Sequence, residues 1–229
     1  MIPTGLLARG LRARLAFEFV FLFAGAPVAV YLWIDAIVAS GRRPAGVVFI
    51  SLLSAVALSL ALLLVDRSFN RRELWNWAGW RVHRRTIFAR FIVLMGALGL
   101  LFALAEPDKL FELVRERPAL WAMIMVFYPL WSVYPQELVY RTFIFHRYRA
   151  LFVSERSMVW ASALAFAWAH VILHNWLAVA LCTIGGWLFA QTYARTRSLA
   201  GAWFEHALYG CAVFTLGMGT YFYAGAVGR

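Results

Sequence analysis

The chain has 229 residues, is 63% hydrophobic with a mean hydropathy of +0.72, and carries only 14% charged residues. Soluble domains are closer to about 45–50% apolar, so an ordinary water-soluble globule is excluded and one integral membrane domain over 1–229 is expected. The net charge of +11 is almost all arginine, with Lys109 the single lysine. Those arginines fall in gaps between apolar runs, where they would meet lipid headgroups, so no nucleic-acid partner is expected.

A membrane span needs about 20 mostly apolar residues, and only helices or closed barrels cross lipid. The runs here are continuous rather than alternating, which predicts an all-α polytopic membrane helix bundle of seven to eight transmembrane helices. The first run, 15–39, lacks a small-residue cleavage site and reads as a retained anchor. A second run covers 46–65. The segment "RRELWNWAGWRVHRR", 71–85, sets three tryptophans among arginines and predicts an interfacial helix at headgroup level. Runs at 88–105 and 119–134 follow. Pro135 then suits the first turn of a short embedded helix over 135–149. The remaining spans are 157–173, 176–193 and 199–224. Cys182 and Cys211 both lie inside apolar runs, against a disulfide framework or zinc finger.

With the N-terminus placed in the cytoplasm, sixteen of the 22 Arg and Lys residues fall on the cytoplasmic side. An arginine-rich, nearly lysine-free chain suggests a GC-rich bacterial gene. The expected location is therefore the cell inner (cytoplasmic) membrane, multi-pass, N-terminus inside.

Ionisable groups within spans are costly, at about 2.5–3.5 kcal/mol each on insertion scales, and need a reason to be there. Five stand out: Glu137, Arg141, His170, Glu205 and His206. Glu18 and Asp35 lie near the ends of the first span, where a short snorkel reaches water, and read as structural. In "PQELVYR", Arg141 follows Glu137 at i+4, in the favourable order for an ion pair. In "FAWAH", His170 stands alone on its helix. His174 follows at i+4, but "HVILH" lacks the internal glutamate of a zincin helix. In "FEHALYG", Glu205 and His206 point about 100° apart and serve different partners. A carboxylate and two imidazoles on three apolar helices could activate water: one as base, one as co-base or metal ligand, one as oxyanion donor. A GxSxG-type serine pattern is missing, so water is the expected nucleophile.

The order "QELVYR", "FAWAH" and "GGWLFAQTYARTRSLAGAWFEHALYG" resembles the CPBP intramembrane metalloprotease family, which includes CAAX prenyl protease 2, lysostaphin-resistance-like proteins and abortive infection membrane proteins. The resemblance covers roughly 131–210, taken as the core carrying the protease-like motifs. It implies about eight helices and an endopeptidase active within the bilayer. The roles carried over fall on Glu137, His170 and His206 as catalytic residues, with Gln136, Arg141 and Phe166 in support. It admits a divalent metal without requiring one. Two positions depart from the pattern. Gln136 stands where the family has the glutamate usually assigned to water activation, and an amide cannot act as a base. Gly210 stands where the family has asparagine.

The leading expectation is a hydrolase that cuts a membrane-associated peptide or protein near the cytoplasmic face. The anticipated arrangement has Glu137, His170 and His206 converging in one interior pocket, with His170 facing Glu137. The alternative is a catalytically impaired relative acting as a membrane peptide-binding or immunity protein. A proton relay built on the same residues is a third option, but the polar groups all lie in the second half, unlike the paired halves of transporters.

Overall fold

The computed structural model describes residues 6–44 and 46–222, and every long element in it is a helix. Helix α1 covers 6–39 as Leu6–Val20, one π-helical turn at Phe21–Gly25, and Ala26–Ala39. Helix α2 is Val47–Val65, and α3 is Trp77–Ala105. A short α4, Glu112–Glu116, leads into α5, which covers 118–147. Helix α6, Glu155–Ala169, runs on through a 3₁₀ turn at His170–Leu173. Helices α7, Trp176–Thr196, and α8, Leu199–Leu216, complete the bundle. The last two residues of the expected 199–224 span lie outside the described residues.

Two expectations are corrected. The tryptophan–arginine segment does not form a helix of its own. Arg71–Trp75 is a 3₁₀ turn, and Asn76 then caps α3 by accepting a bond from the Gly79 N–H, so 77–85 are the first turns of a 29-residue helix. Nor does Pro135 start a new helix. Val133 and Tyr134 both keep right-handed helical backbone angles, and the chain runs without a break from 118 to 147. A proline removes one i→i−4 bond and crowds the carbonyl behind it. Here two π-helical stretches, Pro129–Val133 and Leu138–Phe143, flank that strain and absorb it by re-pairing the ladder.

Among the described residues, five helical segments are long and apolar enough to cross a membrane: Arg9–Ala39, Val47–Val65, Trp77–Ala105, Glu155–Leu173 and Trp176–Thr196. The other two long helices, α5 and α8, carry buried ionisable residues. Burial separates inner from outer helices: 11% of the most apolar window of α1 is buried, against 50% for α7. Outward side chains such as Phe17, Val65 and Leu104 are exposed, as on a surface whose solvent is lipid.

Helices α6 and α7 pack most closely, because Gly186 leaves no side chain between them. A Cβ there would stand 3.0 Å from the Phe166 ring and 3.1 Å from the Ala163 carbonyl oxygen. The core surrounds the second half of α5, where Val133, Phe143, Ile144, Phe145 and Tyr148 are buried. Polar pairs tie the helix ends into one rim. Arg147 on α5 pairs with Glu18 on α1, His146 with Asp66 at 2.9 Å, and Arg197 with Glu73 at 3.4 Å. At the opposite end His174 meets Asp35 at 3.4 Å, and the Phe111 N–H donates to the Leu216 carbonyl. Glu18 and Asp35 on α1 are thus both paired, Glu18 with Arg147 and Asp35 with His174.

Candidate active site

Glu137, Arg141 and His206 form one buried ion-pair cluster. Glu137 and Arg141 are 0% exposed. The Arg141 Nε donates to Glu137 Oε2 at 3.0 Å, and His206 Nδ1 donates to Glu137 Oε1 at 2.9 Å. The carboxylate can only accept, so the shared proton at His206 sits on Nδ1. Arg141 Nη1 also donates to the Ser162 hydroxyl at 2.7 Å, and that hydroxyl donates to the Tyr140 carbonyl at 2.7 Å. The guanidinium lies over the Phe166 ring, 4.9 Å from its centroid. Low dielectric makes such a cluster stable only if every charge is matched, and here both carboxylate oxygens are taken.

His170 stands on the other side of this packing. Its Nδ1 donates to the Phe166 carbonyl at 2.8 Å, which leaves Nε2 of the neutral ring as an acceptor. The Phe166 ring packs on His170 at 4.6 Å, on His206 at 5.3 Å, and under Arg141. Phe189 stacks flat on His206 at 4.5 Å and 13°. The structure therefore joins Glu137 to His206 directly, while no hydrogen bond links His170 to Glu137.

Two cavities meet at this point. The larger, about 360 Å³, lies among α3, α7 and α8 and is lined by apolar side chains together with His170 and His206. The smaller, about 250 Å³, lies among α1, α2, α5 and α6 and is lined by Ser132, Gln136 and His170. Tyr128, His170, Phe214 and Phe222 line both. Glu137 lines neither. Its neighbour Gln136, about 100° further round α5, faces the smaller cavity. The Gln136 Nε2 donates to the Ser132 hydroxyl at 2.8 Å, and among the described residues its Oε1 has no partner.

Glu205 is buried on another face of α8. It accepts from Arg90 on α3 at 2.6 Å and from the Thr192 hydroxyl on α7. It clamps three helices and lines neither cavity. His174 turns towards α1, stacking on Tyr31 at 4.2 Å, and does not join His170.

The donor set does not fit a metal. Among the described residues no group of three His, Cys, Asp or Glu could hold one. The one carboxylate of the motif has both oxygens engaged, and Gln136, which lines the smaller cavity with His170, is a neutral amide.

Two residues of this site gave little sign of themselves in sequence. Tyr128, in "VFYPLW", looks like any interfacial aromatic. Ser162, in "WASALAF", lies one helical turn before Phe166, and a polar residue on that face of an apolar helix was the available clue.

An all-helical bundle with histidines lining cavities at its centre is the class of an intramembrane polar-site protein. Residues 117–212 match the family model described as "Rce1-like: Type II CAAX prenyl endopeptidase Rce1-like". The match contains all three motifs, and it bears out the resemblance read from them. No curated protein and no solved structure matches the chain.

Proposed function

We propose that this protein is an intramembrane endopeptidase in which His170, not Glu137, is the base. The observation that carries this reading is the position of His170: among the described residues its Nε2 has no hydrogen-bond partner, and the residue lines both cavities. A water held between His170 Nε2 and Gln136 Oε1 can donate to both, which leaves its lone pairs directed at a substrate carbonyl. His170 takes the water's proton as the C–O bond forms, the carbonyl oxygen becomes an oxyanion, and His170 returns the proton to the amine as the C–N bond breaks. Glu137 and Arg141 position His206 rather than touch the substrate. The match to a CAAX-type endopeptidase family supports hydrolysis. The arginine-rich rim supports an inner-membrane location with the N-terminus and the cleavage site at the cytoplasmic side. The substrate class is a membrane-associated peptide or protein tail.

A second reading is favoured by one observation. Among the described residues, no carboxylate lines either cavity. A protein that binds a membrane peptide without cutting it would have this lining. Terminal-peptide mass spectrometry on host membranes separates the two, comparing wild type with His170→Ala at matched protein levels. Hydrolysis is supported by new peptide ends that vanish in the variant. Identical ends in both would discard hydrolysis in favour of binding.

A further inference from the structure

The hydroxyl of Tyr128 is the one O–H group at the junction of the two cavities that the mechanism above leaves without a task. It lies on α5, three turns before the Glu137–Arg141 pair. Its side chain lines both cavities beside His170. The hydroxyl oxygen stands 3.4 Å from His206 Nε2, longer than a well-formed bond of this type, so it is not committed to the imidazole. The ring packs edge-on against Phe214, with centroids 5.2 Å apart, which fixes the ring while leaving the C–O bond free to turn.

The ring also needs a particular neighbour. A Cβ built on Gly210 would stand 2.5 Å from Tyr128 Cε1 and 2.7 Å from Cζ, and closer still to the hydroxyl. No real side chain sits that close, so position 210 must be glycine for the Tyr128 ring to lie where it does. The Gly210 Cα is interior to a regular helix, and its backbone needs no special angles. Its smallness serves the tyrosine, at some cost in helix propensity relative to alanine.

We propose that Tyr128 is the oxyanion donor of the hydrolytic site and that Gly210 exists to seat it. This rests on the endopeptidase reading. As water adds to the scissile carbonyl and its proton passes to His170, the carbonyl oxygen gains the charge. The Tyr128 O–H turns from His206 Nε2 to donate to that oxygen, and His206, anchored by Glu137, holds its ring in place beside it. The donor is preorganised by packing, and it works among aromatic rings that keep bulk water away from all but the reacting molecule, so a single donor counts for much.

The test uses full-length protein in host membrane vesicles, with new peptide ends counted over time by mass spectrometry. Four variants join the wild type: Tyr128→Phe, Gly210→Ala, the double Tyr128→Phe/Gly210→Ala, and His170→Ala. Thermal unfolding is measured for each. Tyr128→Phe keeps the ring and removes only the O–H, so it should lower the cleavage rate by about 10²-fold while unfolding at the wild-type temperature. Gly210→Ala should displace the ring and lower the rate similarly. The double variant should be no slower than the worse single one, because both act on one hydroxyl. Cleavage by Tyr128→Phe within threefold of wild type, with His170→Ala silent, would overturn the inference alone. A Tyr128→Phe rate loss matched by an equal loss of folded protein would overturn it too, as packing. Absence of new ends in the wild type would overturn both this and the endopeptidase reading.

Discussion

Replacing Glu137 with glutamine separates a folding role from a catalytic one. The substitution keeps the volume and one acceptor oxygen and removes the charge. Arg141, 0% exposed, would then face only neutral groups: the new amide, the Ser162 hydroxyl and carbonyl, and two aromatic rings. Breaking a buried pair by removing one partner costs about 3–5 kcal/mol, because the other charge is left unmatched. For a domain of this size 1 kcal/mol corresponds to about 2–4 °C, so the unfolding temperature should fall by roughly 6–20 °C. The assay is tryptophan fluorescence on heating in detergent, using the 11 native tryptophans. Removing both charges, in Glu137→Gln/Arg141→Met, should recover part of the loss, since an apolar replacement of a buried pair is often near neutral. A Glu137→Gln protein that unfolds at the wild-type temperature yet cleaves nothing would refute this reasoning. The carboxylate would then reach the reacting water, and its enclosure by Arg141 and His206 would be wrong.

Two further outcomes follow from the fold. At the rim, hydrogen bonds from Ser68, and then from His146, hold the Asp66 carboxyl down to about 2. A carboxyl lowered on folding adds stability that is present above its unfolded pKa of about 4 and is lost as pH falls towards 2. Unfolding followed from pH 6 to pH 2 should show that loss in wild type and a flatter curve in Asp66→Asn; the difference should be small and should shrink in salt, because the group is exposed. Within the bundle, Gly186→Ala should force α6 and α7 apart against Phe166 and the Ala163 carbonyl, costing about 1–3 kcal/mol in the same fluorescence assay. Wild-type stability there would mean that the helices do not pack as closely as described.

Most helix positions were legible because their signals are local. The apolar runs at 46–65 and 176–193 match α2 and α7 closely. Asn175, Ser154 and Ser198 cap the helices that follow them, as their side chains would suggest. Helix α5 was not legible in this way. Pro135 follows the rule for a helix start, and only tertiary packing decides that a π-helical stretch will carry the helix past it. That local winding also sets which of Gln136 and Glu137 meets the cavity. The sequence shows that the two differ by about 100°, but it does not say which way the pair is turned. The site's polar residues stood out against an apolar background, and their pairing did not. Glu137 and Arg141 were matched by spacing alone, whereas His206 and Ser162 reach them from 69 and 21 residues away.

The two departures from the family motifs lie on the cavity side of their helices, and the Glu137–Arg141 pair lies on the packing side. This division bears on rate. On the proposed mechanism His170 becomes an imidazolium when it takes a proton, and the motif carboxylate Glu137 is already bound by Arg141 and His206. Gln136 offers that imidazolium a dipole, where a carboxylate would offer a charge. The charged intermediate is thus stabilised less on the His170 side than on the oxyanion side, where Tyr128 and His206 stand. The proposed mechanism then makes proton transfer the slow step, and a peptide bound there would spend longer in the cavity than a carboxylate base would allow. Slow cleavage and peptide holding are then two regimes of one geometry, separated by a single rate constant. Gln136→Glu should move the protein towards the faster regime by placing a carboxylate on the cavity wall that His170 also lines. A Gln136→Glu protein that cleaves no faster than wild type would show that His170 is not the base.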